Sequence, residues 1–312
     1  MGNTAFDSVT TSNNSTAVGN AALTATTTGV RNNAFGSSAL TANVDGADNV
    51  GLGTNSLAAN TSGGQNVGVG NYALDANTTA SNNTAVGYNS LGANTTGARN
   101  TALGHRAATS SSTASNITAI GEGALYNNTA NGNTAVGRNA AYATTSGSAN
   151  TAVGKEALAA NTTGTYNTAV GNEALDANTT AQESTALGSN TLSANTGGYN
   201  TAVGAFALTE NTTSQYNVAV GRSALRSQTT GVRNTVVGAN PATGITTGSY
   251  NVAMGMQAME TNIAGSNNTA IGYSAYLFGT GSNNTAIGMQ AGFNTSSGAD
   301  NVSVGKDAFY SA

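Results

Sequence analysis

Residues 150–175 read NTAVGKEALAANTTGTYNTAVGNEAL. The motif NTAVG stands at 150–154 and again at 167–171, each time followed by two variable residues and then Ala-Leu. Extending the comparison in both directions finds a Gly in the same place eighteen times, from Gly19 to Gly305. The intervals are 17 residues, with three of 16. A fixed short period marks a repeat architecture, in which each unit completes its core only against its neighbours. Residues 1–312 therefore read as a single continuous array, with incomplete repeats at both ends.

Each position around this anchor Gly has its own rule. Four before it, fifteen of the eighteen repeats carry Asn. Three before it stands Thr or Val, with Asn33 as the exception; two before it, Ala in fourteen; one before it, always a larger apolar residue. Ala and Leu follow at three and four after the Gly, and an NTTG-type stretch closes the unit. Period-2 alternation, then Gly, a short second run and an Asn/Gly turn predict two short strands per repeat. Apolar residues do not recur at spacings of three and four, which excludes amphipathic helices. The fold class is thus all-β, a parallel β-solenoid with one coil per 17-residue repeat, about eighteen coils stacked ~4.8 Å apart.

Alternation puts Thr151 and Val153 on one face of the first strand and Asn150 and Ala152 on the other. The expected interior holds Val153-type and Leu158-type side chains, a thin core for seventeen ordered residues. A small residue fixed on the outer face would let another backbone approach closely. Ala135, Ala152, Ala169, Ala202 and Ala219 are accordingly the candidate chain–chain interface. The Asn column reads either as a ladder of stacked amides or as a set of Asx-turns.

Composition excludes several function classes. Nine basic and thirteen acidic residues give a net charge of -4 and no basic stripe, so nucleic acid is not an expected partner. No Cys is present, which rules out disulfides and thiolate metal sites. No apolar run reaches the ~18 residues of a membrane span, and the opening MGNTAFDSVTT has neither the basic nor the apolar region of a signal peptide. His105 is the single histidine, and the acidic residues fall in turns without pairing, so neither a catalytic centre nor a cofactor or metal site is expected. The many N-x-T triplets follow automatically from a repeat rich in Asn and Thr.

The motif N-T/V-A-V/I-G-x-x-A, as in NTAVGKEA (150–157), NVAVGRSA (217–224) and NTAIGMQA (284–291), resembles the head repeats of YadA-like trimeric autotransporter adhesins. Similar arrays occur in bacteriophage tail fibres. The resemblance implies a left-handed β-roll packed as a homotrimer, located extracellularly, on a cell surface or on a virion, and contacting a host or surface receptor. The repeat here is longer than the YadA-like unit by an NTTG-type turn, and no neck or stalk pattern is read within residues 1–312.

One surface column adds a candidate contact patch. Five before the Gly stand Tyr166, Glu183, Tyr199, Tyr216, Arg233 and Tyr250 in successive repeats. In a solenoid these lie one above another, and Tyr faces with Arg forks suit sugar rings and carboxylates. The leading expectation is a structural and adhesive fibre module whose partners are copies of itself and a surface glycan or receptor. The alternative is a filament subunit that grows end to end through uncapped strand edges. Ice binding through Thr columns is weighed against by placing those side chains inside.

Overall fold

The structure, a computed structural model, describes Ala5 and residues 14–310. The chain is all-β, a parallel β-solenoid, with no helix among the described residues. It divides into two compact units, residues 1–156 and 157–312. The first carries nine strands, β1 (Thr16–Val18) to β9 (Thr151–Val153), and the second another nine, β10 (Thr168–Val170) to β18 (Val302–Val304). The half-repeat that opens the chain lies outside the described residues, apart from Ala5.

Within each unit every strand pairs in parallel with the next along the sequence, column on column. Ala85 faces Ala102 and Ala102 faces Ala119 in the first unit; Ala169 faces Ala186 and Ala186 faces Ala202 in the second. The last of these steps spans a 16-residue repeat, so the missing residue is absorbed in the turn and the register is kept.

Each coil has one strand of three residues, where the sequence pattern predicts two strands. The second run cannot be a strand because its alternate residues adopt left-handed backbone: in the coil of Gly87, Asn89 has φ 54° and Leu91 φ 51°. The chain turns there, yet it still bonds to the next coil. The amide of Leu91 donates to the Ala107 carbonyl at 3.0 Å and that of Ala93 to Thr109 at 2.9 Å. The anchor Gly is required by close approach: a side chain on Gly36, at φ 138°, would set its Cβ 2.5 Å from the Gly53 carbonyl oxygen.

The faces of the strand are the reverse of the expectation. In every strand the middle residue is buried and the two flanking ones are not. Ala135, Ala152, Ala169, Ala202 and Ala219 have no exposed surface and point into their own coils. They line the core and cannot form an outer chain–chain contact. In the coil of Gly36, Asn32, Ala34, Ala39, Leu40 and Asn43 are all fully buried. Small Ala side chains allow the walls of the flattened coil to close on one large residue, Leu at four after the Gly.

Two of those interior positions are amides, forming two buried columns. In the first column the Asn32 carbonyl oxygen Oδ1 accepts from the Asn49 backbone N–H at 3.0 Å, and Asn32 Nδ2 donates to the Gly46 carbonyl at 2.7 Å. The pattern repeats from Asn49 to Asn66 and from Asn66 to Asn83. The second column lies in the NTTG stretch, where Asn60 Nδ2 donates to Asn43 Oδ1 and Asn77 Nδ2 to Asn60 Oδ1, both at 2.8 Å. Buried amides are tolerable here because the stacked coils satisfy one another.

Candidate interaction surfaces

The reversal of faces turns the Thr/Val and the large apolar residue outward. Val18, Phe35, Leu52 and Leu103 are each at least 40% exposed in the first unit, and Leu187, Met254, Ile271, Ile287 and Val304 are exposed in the second. Thr84, Thr101, Thr201 and Val218 stand beside them, exposed as well. In-register stacking makes each unit carry a row of apolar side chains, exposed or half-exposed, flanked by a row of Thr and Val. Scattered exposed apolar residues are ordinary; a contiguous row of them is the feature that marks an interaction face.

The column five before the Gly is built by backbone geometry. Tyr166, Glu183, Tyr199, Tyr216, Arg233 and Tyr250 all have φ between 53° and 63°, which swings their side chains away from the coil. Tyr199 and Tyr216 stack with ring centroids 5.0 Å apart and planes 8° from parallel. The Arg233 guanidinium lies 5.3 Å from the Tyr216 ring centroid and 5.5 Å from that of Tyr250, and its Nη1 donates to the Tyr250 hydroxyl at 2.8 Å. The structure thus brings Tyr199, Tyr216, Arg233 and Tyr250 together as one ladder. Tyr166 stands at the same backbone position without a ring partner, and is 64% exposed.

In the first unit the same column is polar from Asn14 to Asn116. Arg31 donates from Nη2 to Asp48 Oδ2 at 2.8 Å, its Nε bonding Oδ1, and this pairing holds the Asp48 carboxyl below the usual carboxylate range.

A third surface, not foreseen from the sequence, surrounds the single histidine. His105 stacks on Tyr88 with centroids 5.6 Å apart, and Tyr126 stacks on Tyr142 at 5.0 Å. Between the two pairs is a depression of about 210 Å³ lined by His105, Arg106, Glu122, Gly123, Tyr126, Asn139 and Tyr142. Gly123 opens it, standing where most coils carry a side chain. The signal in the sequence was that exception at two after the anchor Gly.

Among the described residues no group of three or more His, Cys, Asp or Glu side chains could hold a metal ion. No helix among the described residues is long and apolar enough to cross a membrane. No protein-family model matches the chain, and no curated protein sequence does.

Proposed function

We propose that the chain is a structural module of a fibre or surface adhesin, in which copies of it pack side by side through the outward Thr/Val and Val/Leu/Ile stripes. The observation that carries this reading is the apolar row on the outward face of the strands, its members exposed or half-exposed, from Val18 to Leu103 in one unit and from Leu187 to Val304 in the other. Water-exposed rows of apolar side chains are stabilised by covering them, and a stack of like coils offers the same row on each copy, so that a ring of chains around one axis covers all of them. The resemblance to YadA-like heads sets the expected number of chains at three. The Tyr/Arg column of the second unit is then the contact surface toward a receptor.

Light scattering coupled to size exclusion tests this. The expected mass is three times the 30.5 kDa chain. Leu52→Lys with Leu103→Lys is expected to release single chains that keep their far-ultraviolet circular dichroism. A wild-type chain that stays single at every concentration overturns the reading, and masses that climb with concentration favour a filament instead.

The outward Thr column also supports a second reading, ice binding, because the inward placement that argued against it is reversed. Against it, the neighbouring row alternates Val, Leu, Ile, Phe and Met, which is too uneven to match a lattice plane. Thermal hysteresis measured on the full chain decides between them.

A further inference from the structure

The column five before the Gly contains one three-coil frame twice in the second unit. One copy is Tyr216, Arg233 and Tyr250; the other is Tyr166, Glu183 and Tyr199. Their backbones coincide, with φ of 62°, 57° and 60° in the first and 58°, 53° and 63° in the second. Their registry coincides too. Arg233 and Tyr250 donate their amides to the Gln215 and Val232 carbonyls at 3.2 and 3.0 Å. Glu183 and Tyr199 donate theirs to Thr165 and Gln182, both at 3.0 Å. The frames differ in the charge of the middle residue.

In the Arg233 frame a guanidinium fills the space between two tyrosine rings. A flat, weakly hydrated cation is what two electron-rich ring faces hold best. In the Glu183 frame the same space faces an exposed carboxylate that makes no side-chain hydrogen bond or ion pair among the described residues. Tyr199 turns one face to Tyr216 and so presents the other toward the coil of Glu183, while Gln182 Nε2 holds its hydroxyl at 2.6 Å. Tyr166 holds the matching position one coil earlier, where Tyr216 stands in the sister frame, and is exposed.

We infer that Tyr166, Glu183 and Tyr199 form a docking notch for a guanidinium group carried by another protein, an exposed arginine side chain. The sister frame supplies the geometry from within the same chain, and Glu183 adds the carboxylate with which an arginine fork pairs bidentately. This deepens the contact role given to the column above and rests on it.

The test titrates the full-length protein with N-acetyl-arginine amide, following tyrosine ring resonances by NMR against sodium chloride of equal ionic strength. Saturable shifts at two tyrosines are expected. E183Q should weaken the response at least fivefold, and E183R, which brings its own guanidinium, should abolish it. R233E should create a second notch and raise the stoichiometry from one to two. The inference is overturned by the absence of a saturable shift, by an equal response to N-acetyl-lysine amide or to the salt, by unchanged binding in E183R, or by a single equivalent in R233E. Chain mass measured on the same sample separates failure of the notch from failure of self-association.

Discussion

The two buried Asn columns run side by side through the same coils, yet they respond differently to interruption. In the first column the side-chain oxygen accepts a backbone N–H of the next coil. When the next residue is Ile117 or Ser184, that backbone donor is still there, and Ile117 N–H reaches Asn100 Oδ1 at 3.1 Å while Ser184 N–H reaches Asn167 Oδ1 at 3.0 Å. In the second column the oxygen accepts from the side chain of the next residue, as Asn94 Nδ2 does toward Asn77 Oδ1 at 2.9 Å. An interruption there breaks the chain of bonds. Asn94 Oδ1 below Ser111, the Ser111 and Thr144 hydroxyls, both polar atoms of Gln228 and Asn262 Nδ2 above Ile245 are buried without partners. Among the described residues no member of the first column is in that position. A ladder that uses the backbone as donor tolerates sequence drift; one that uses side chains on both sides does not.

Substitutions measure the contrast, read as denaturant midpoints at fixed chain concentration, because association shifts apparent stability. Asn66→Ala removes the acceptor of the Asn83 N–H and two bonds from Nδ2, to Ala80 at 2.8 Å and to Asn49 Oδ1 at 3.1 Å. It leaves a buried backbone donor bare and should cost about 3 kcal/mol. Asn262→Ala in the second column gives up the bond that Gly265 N–H donates to Oδ1 at 2.7 Å, and removes an unpartnered amide nitrogen with it. This too bares a buried backbone donor, the Gly265 N–H, but it loses one bond where Asn66→Ala loses three, so its cost should be smaller, about 1–2 kcal/mol. Equal costs for the two would sink the comparison. Repair is the converse. Ser111→Asn supplies the donor that Asn94 Oδ1 lacks, in a slot that holds Asn at 60, 77 and 94, and should raise stability by about 1 kcal/mol. A loss of stability would mean that the slot at 111 has closed around the smaller residue.

The first column was legible in the sequence as a column, and so were the period, the parallel stacking and the anchor glycine, though not the coil-to-coil approach that demands it. Which face of the strand is inside was not. Alternation shows that Asn150 shares a face with Ala152 and Thr151 with Val153, but not which pair is buried. The polarity of Asn points to the wrong answer unless the stacked amides are counted as satisfied by their neighbours. Once Asn is inside, Ala is inside and the Val row is outside, so the candidate interface moves from the Ala column to the Val column. The second Asn column was hidden differently, inside a stretch whose Asn, Thr and Gly are all turn formers. Its signal was that Asn43, Asn60, Asn77 and Asn94 recur at one spacing, which a turn alone does not require. The same logic explains one coil where two columns change together. Tyr276 replaces Leu and Gly279 replaces Asn, a Cβ on Gly279 would lie 2.3 Å from the tyrosine ring, and the Tyr276 hydroxyl accepts from Asn284 Nδ2 at 2.6 Å. Side chain and gap are matched in space, three residues apart in sequence.

The outer column five before the Gly repeats the contrast in miniature, because its partners are side chains alone. Arg31 and Asp48 sit in consecutive coils of the first unit, and hydrogen bonding to the guanidinium lowers the Asp48 pKa. A carboxyl whose folded pKa is depressed contributes stability that is present above its unfolded value, about 3.9, and that is lost as pH falls through the lower folded value. Both side chains are exposed, so the effect on unfolding is small and the sensitive readout is the carboxyl itself. Titrated by NMR, Asp48 should have its midpoint below the ordinary range, and Arg31→Ala should return it there. Raising the salt concentration should move it part of the way, since exposed charges are screened. A midpoint that ignores Arg31→Ala would show that the two residues stack in register without pairing, and that position in this column does not by itself bring neighbouring side chains together.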